Sequence, residues 1–413
     1  MKKNFLTGFF TGLGAMLLVA VLIISGFSIN KSIKRISSQN PNTNQSNNTN
    51  QEDKIQYDNI NNKLHLLESV IDEYFLEDVN KSDFEDGIYK GFVASLGDPY
   101  STYYTSKEYE ALMESSRGIY YGIGATINQN ISTGIITIVK PFVTGPAFEK
   151  GMLPGDIIYK VEGEEVTGID LSEVVGRIKG PEGTEVFVEI LREDVSEPIG
   201  LYIPRRKIEV PTIEYEIIEG NIGYIIITEF DEITVKQFKD AVDELDSKDV
   251  SGIIIDLRDN PGGLLNSVVK MVDRIIEKGL VVYTEDKNGK REEENAINSD
   301  KYDKPIVVMI NGNSASASEI FAGTLQDYEA AKILGTKSFG KGIVQKIISL
   351  PDNTALKITI SKYYTAKGRD VHGIGIAPDI EIELDEELKK KVIIAHEEDN
   401  QLQEAIKTIK TME

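Results

Sequence analysis

The chain contains no cysteine and only three histidines, His65, His372 and His396. The first absence excludes disulfides, thiolate zinc sites, a cysteine nucleophile and a lipid-modified N-terminal cysteine. The second nearly excludes chemistry that needs a histidine cluster, and of the three only His372 falls in the expected core. Basic charge is scarce as well: 45 Lys and Arg stand against 67 Asp and Glu, a formal net charge of −22. Five of the basic residues (Lys2, Lys3, Lys31, Lys34 and Arg35) lie in the first 50 positions, which hold no acid. The remaining body is therefore more acidic still. It repels phosphate backbones, so no nucleic acid is expected as a ligand. What is present is ordinary globular composition, 40% hydrophobic and 27% charged over 413 residues. That length predicts about two to four domains with sizeable cores.

Residues 5–27 carry no charge, and as a helix they are long enough to cross a ~30 Å hydrocarbon core. Lysines precede the run and basic residues follow it, so charge asymmetry does not set its orientation. A short cationic start before an apolar run resembles a signal sequence, which leaves the N-terminus inside, and no A-x-A cleavage site follows. The expectation is an uncleaved, single-pass anchor in the cell membrane. Residues 1–4 would form a cytoplasmic stub, with the body on the extracytoplasmic side; a cleaved signal is the alternative. Residues 28–54 follow as an Asn-rich linker whose few apolar side chains cannot offset the entropy of ordering, and disorder is expected there.

In residues 55–116, apolar positions at spacings of three and four predict helices over 55–78, 83–96 and 106–115, the second stopped by Gly97-Asp98-Pro99. From residue 117 the texture turns to short strands and glycine-rich turns. Strands are expected over 122–127, 134–140 and 184–192, with a helix over 171–179. The order G-I-G, then P-A…G…P-G-D-I-I, then a helix and G-x-x-G-T-x-V, resembles a PDZ domain over 117–205. The resemblance implies that a peptide adds as a strand to a sheet edge and that its terminal carboxylate meets the loop Tyr121-Gly122-Ile123-Gly124. Lys179 stands where many such domains carry Arg before G-x-x-G-T.

Residues 206–384 alternate strand and helix, which argues an α/β layered domain. A helical C-terminal element over 385–413 is expected to pack or to dimerise. Two Gly- and Ser-rich strand exits stand out, D-L-R-D-N-P-G-G at 256–263 and N-G-N-S-A-S-A-S-E-I-F at 311–321. Such strand-to-helix turns present side chains at the carboxyl ends of a sheet, and the following helix offers free N–H groups. A Ser there is a nucleophile only with a base. Lys341, in S-F-G-K-G-I-V-Q, is a candidate because apolar neighbours (Phe339, Ile343) disfavour its ammonium form. Gln345, four residues on, is placed to orient the amine. Ser314 and Ser318 read as a helix N-cap and a polar helix-turn residue, Arg258 and Asp259 as anchors of their turn, and His372 as loop scaffolding rather than half of a Ser-His dyad.

These motifs together resemble the carboxyl-terminal processing peptidases, tail-specific Ser/Lys proteases with a PDZ domain. The fold implied is α/β, a Clp protease/crotonase-like core with the PDZ domain in series and helical terminal elements. By that resemblance Ser316 is the nucleophile, Lys341 the base and Gln345 the orienting residue. Backbone N–H groups of Ala317 and of Gly262 or Gly263 form the oxyanion hole, and Asp327 is a supporting residue near the site. No metal or cofactor is implied. The expected partners are the C-terminal tails of exported proteins, the membrane through residues 5–27, and a second copy of the chain through the terminal helices. Two other readings stand beside it: a non-catalytic PDZ adaptor that captures C-termini, and an acyl-CoA enzyme of the crotonase type.

Overall fold

The computed structural model of the chain describes residues 55–298, 302–391 and 394–412. The expected cytoplasmic stub (1–4), anchor (5–27) and linker (28–54) all lie outside the described residues. Among the described residues no helix is long and apolar enough to cross a membrane.

The chain divides into two compact units, residues 1–85 and 86–413. The described part of the first holds helix α1 (Tyr57–Tyr74) and the start of α2 (Lys81–Ala94). Lys81 Nζ closes this unit on itself through Glu68 at 2.8 Å and Asp72 at 2.9 Å.

In the second unit a short strand β1 (Thr102–Tyr104) precedes α3 (Ser106–Arg117). That helix starts with a reciprocal cap, in which Thr105 N donates to Glu108 Oε2 at 2.9 Å and Glu108 N to Thr105 Oγ1 at 3.3 Å. A β-rich module follows: β2 (Ile119–Gly122), β3 (Ala125–Gln129), β4 (Ile136–Pro141), the single turn α4 (Pro146–Glu149), β5 (Ile157–Val161), β6 (Glu164–Glu165), α5 (Leu171–Ile178), β7 (Glu185–Leu191) and β8 (Ile199–Pro204). Strands β3, β4, β5, β7 and β8 form one antiparallel sheet in that order. Alternation in β7 sends Val186, Val188 and Ile190 inward. There they meet Ile138, Ile158, Val174 and Ile203 in a core of the module's own. The strand expected over 122–127 is split, because Gly124 adopts φ +76 and turns the chain between β2 and β3. β2 pairs instead with β9 (Arg206–Glu209), so the chain enters and leaves the module side by side.

The remainder is the layered domain: β10 (Ile213–Ile218), β11 (Ile222–Ile227), α6 (Glu232–Ser247), β12 (Ile253–Asp256), α7 (Leu265–Val272), β13 (Gly279–Asp286), β14 (Arg291–Ala296), β15 (Ile306–Ile310), α8 (Ala317–Asp327), β16 (Lys332–Gly335), β17 (Ile343–Ser349), β18 (Ala355–Thr365), β19 (Ile380–Glu381) and α9 (Asn400–Met412). Its larger sheet runs β10-β11-β12-β15-β16-β19 and is parallel beyond β11. β12 and β15 are buried at every position, as apolar runs must be when both sheet faces are covered. Ile253, Ile255, Val308 and Ile310 face Phe238, Val268 and Phe321 of α6, α7 and α8. Ile254, Val307 and Leu334 face Leu402, Ala405, Ile406 and Ile409 of α9. The C-terminal element is an α-helix only from Asn400, and its apolar face packs on the chain's own sheet. A smaller sheet, β1-β18-β13-β14 with β17 also on β18, completes the unit.

Candidate active site

β12 and β15 are parallel neighbours with Asp256 opposite Met309, so their two exits emerge together at the carboxyl edge of the sheet. Hydrogen bonds join the turns. Ser314 Oγ donates to Leu257 O at 2.8 Å and Ser318 Oγ to Asn260 O at 2.9 Å. The helix cap is Ser316, since α8 begins at Ala317; Ser314 straps one turn to the other rather than capping the helix as expected. Asp259 Oδ1 accepts the amides of Asn311 at 3.0 Å and Asn313 at 2.7 Å. Arg258 donates to Asp256 at 2.6 Å and to Asp399 at 2.8 Å, and so ties the turn to the segment before α9. Both residues anchor their turn, as their types suggested.

Ser316 sits at the mouth of α8 with φ 54 and ψ −112, a conformation that costs a non-glycine residue roughly 1–3 kcal/mol. Gly262 lies directly on it: a Cβ there would be 2.8 Å from Ser316 Cβ and 2.9 Å from Ala317 N. The two candidate oxyanion glycines are not equivalent. Gly262 N donates to Asn260 Oδ1 at 2.8 Å and is occupied. Among the described residues Gly263 N and Ala317 N have no hydrogen-bond acceptor.

The carboxylate of Glu319, fully buried, is the junction of the site. Its Oε2 accepts Ser316 N at 2.9 Å and Lys341 N at 2.8 Å. Its Oε1 accepts Gly340 N at 2.7 Å and Ser338 Oγ at 2.6 Å. The backbones of Ser316 and Lys341 therefore meet at a single oxygen atom. On the other side of the Ser316 peptide, the buried Tyr363 hydroxyl donates to Ser316 O at 3.1 Å. Sequence reasoning assigned neither Glu319 nor Tyr363 a role. For Glu319 the pattern was there, Ser316 followed three residues later by Glu before an apolar run; nothing local marks Tyr363.

Lys341 is half-buried. Burial, then the neighbouring Lys357, hold its amine below the usual lysine range against the opposing charges of Glu319 and Asp98. Phe339, expected to cover it, is 56% exposed. The ring that faces the amine is Tyr100, with Nζ 4.8 Å from its centroid. The flanking glycines are there for close packing: a Cβ on Gly342 would be 2.3 Å from His372 N, and one on Gly340 3.1 Å from Gly375 N. Gln345 Nε2 is buried and has no hydrogen-bond partner among the described residues. Among the described residues no hydrogen bond links Lys341 Nζ to Ser316 or Gln345. Asp327 pairs with Arg369 at 2.6 Å and accepts Lys367 N at 2.8 Å, which supports the loop after β18. His372 is exposed, and its backbone N–H is held by Asp370 at 2.9 Å.

In the β-rich module, an apolar groove of about 210 Å³ runs between β3 and α5, lined among others by Ile123, Ala125, Ile127, Val175 and Ile178. Of the expected loop, Gly122 and Ile123 line it. Gly124 packs against Gly145 instead, and Tyr121 is 43% exposed outside the lining. Tyr120, which sequence reasoning passed over, also lines it; burial raises its hydroxyl to about 12. Lys179 Nζ lies 4.9 Å from the Tyr120 ring and pairs with Glu114.

Residues 221–382 match the model of peptidase family S41, residues 141–192 that of the PDZ domain, and residues 16–108 that of the activating protease CtpB N-terminal domain. Together with the strand-exit serine these define a serine peptidase with a PDZ domain. The chain is 38% identical over 327 residues to a carboxy-terminal-processing protease of Bartonella bacilliformis, covering 77% of this chain and 74% of that protein. It is 38% identical over 329 residues to carboxy-terminal processing protease CtpA of Bacillus subtilis, covering 79% and 69%. A solved structure titled photosystem II D1 C-terminal processing protease is 27% identical, with a TM-score of 0.45 over 76% of this chain and 86% of that one. The chain belongs to the carboxy-terminal processing protease family.

Proposed function

We propose that the protein hydrolyses peptide bonds near the C-terminal tails of exported proteins, with Ser316 as nucleophile and Lys341 as general base. The observation that carries this is the shared Glu319 oxygen, which holds the backbones of both residues while Gly262 presses on Ser316. In the neutral form favoured by its burial, the Lys341 amine takes the Ser316 proton, and Oγ attacks the scissile carbonyl. The oxyanion is received by the free N–H groups of Ala317 and Gly263. The lysine proton passes to the leaving amine, and water then clears the acyl-enzyme. Gln345 orients the amine once the site is engaged.

A tail docks as an added strand beside β3, its terminal side chain in the apolar groove under Tyr120. The apolar lining favours tails that end in an apolar residue. The parallel strands β12 and β15, buried at every position, are in keeping with a Clp protease/crotonase-like core. In this reading the PDZ domain spans 117–205, with a core of its own in support, and the protease 206–384, with α9 packed on its sheet. Residues 5–27 anchor the protein in the cell membrane, with the body on the extracytoplasmic side. For a homodimer, exposed Tyr57, Ile60 and Leu67 of α1 speak in favour, whereas α9 buries its apolar face within the chain.

Replacing Ser316 or Lys341 by Ala abolishes cleavage of a tail peptide while leaving the fold intact. Turnover by either folded variant would sink the assignment.

A further inference from the structure

The sequence marks Gly97-Asp98-Pro99 only as the end of a helix. In the structure the turn is built tightly and fastened to the catalytic layer. Asp98 accepts Tyr100 N at 3.1 Å and Ser101 Oγ at 2.5 Å. Burial opposes the Asp98 charge, but the hydrogen bonds from the Ser101 hydroxyl and the Tyr100 N–H help to keep the carboxyl below its usual range. Ser101 Oγ also accepts Thr359 N at 3.1 Å. β1 then pairs with β18, Thr102 opposite Lys357 and Tyr104 opposite Ala355. The same residues of β18 pair with β17 on the opposite edge, where Gln345 stands across from Thr359. One strand therefore carries the Asp98–Ser101 turn on one side and Gln345 on the other. The result is the Tyr100 ring set 4.8 Å from Lys341 Nζ, within the ~6 Å reach of a cation–π contact.

We propose that Tyr100 is a positioning residue for the reaction: its ring holds the Lys341 amine in a fixed, water-poor place, and the Asp98–Ser101 turn is a wall of the catalytic site. This rests on Lys341 being the base. The charged groups that face the amine come from three elements: Lys357 on β18, Glu319 on α8 and Asp98 on the turn itself. Their fields remain when the ring is removed. Two things change: the ring's attraction for the ammonium is lost, which modestly favours the neutral amine, and water reaches the amine, which favours the ammonium form and is the larger effect for a half-buried group.

The test uses the full chain with Tyr100→Ala, Tyr100→Phe and Tyr100→Leu, with Lys341→Ala alongside. Cleavage of a tail peptide is followed across pH, together with Tm. Tyr100→Ala is expected to lower kcat/KM about tenfold near neutral pH, with KM nearly unchanged, and to move the acidic limb up by about one pH unit. Tyr100→Phe, which keeps the ring face, recovers most of the loss. If the alanine variant fails to fold, Tyr100→Leu, whose shorter side chain leaves the amine open to water, takes its place, and its limb is compared with that of Tyr100→Phe. An acidic limb that stays in place or moves down in a folded Ala or Leu variant overturns the proposal, as does a Phe variant as impaired as Ala. Full activity in Lys341→Ala would remove the base assignment itself; an inactive Lys341→Ala beside an unaffected Tyr100→Ala removes only the role given to Tyr100.

Discussion

Substituting Glu319 by Gln tests the junction at which the proposed nucleophile and base, Ser316 and Lys341, are held. The carboxylate accepts hydrogen bonds from Ser316 N, Lys341 N, Gly340 N and Ser338 Oγ, at 2.9, 2.8, 2.7 and 2.6 Å. Gln keeps one acceptor oxygen and turns an NH2 group toward the donors on the other side. Two bonds to a carboxylate are lost and two buried donors face a donor. At about 1.5–3 kcal/mol for each bond to a charged group, the cost is roughly 3–6 kcal/mol before relaxation. For a large domain at about 2–4 °C per kcal/mol, Tm falls by roughly 10 °C. Activity falls further, because a displacement of about 1 Å between reacting groups costs on the order of a hundredfold. The assay pairs thermal unfolding with the rate at which a small fluorophosphonate labels Ser316, a readout that bypasses peptide docking. Wild-type labelling and an unchanged Tm in Glu319→Gln would refute the reasoning that this carboxylate sets the register of the site.

Three further outcomes are expected. Gly262→Ala abolishes labelling of Ser316 and lowers Tm, because the new Cβ meets Ala315 O at 2.7 Å and Ser316 Cβ at 2.8 Å on a backbone with φ +108; a fully active, stable variant would contradict the packing. Arg258→Met leaves Asp256 and Asp399 buried without their cation and costs about 3–5 kcal/mol, measured by urea unfolding, with loss of activity because the turn carrying Gly262 and Gly263 loosens. With Lys341 as the proposed base, the pH profile is expected to show an acidic limb set by its amine. Its pKa lies below the ordinary 10.5 because burial disfavours the ammonium form, so the neutral base persists to lower pH than on a free lysine and disappears as pH falls through that depressed value. A profile flat from neutral into acid would exclude a lysine base.

The candidate chemistry was legible along the chain because its parts are local. A Ser-rich strand exit before a helix, a Gly-Lys-Gly segment and a Gly-rich loop in a β module are short patterns whose conformations their own residues dictate. The layered α/β architecture followed from apolar runs of the right length, and burial at every position of β12 and β15 fits them. What local pattern cannot contain is which distant groups share an atom. That Glu319 joins Ser316 to Lys341, that Gly262 is occupied by Asn260 while Gly263 is free, and that Tyr100 rather than Phe339 faces the lysine amine all depend on strand register and on how two turns interlock. Those arrangements arise from the simultaneous pairing of β12 with β15 and of β1 with β18. Hydrogen bonds and burial between such remote segments leave no periodicity in either one, so only the folded chain decides them.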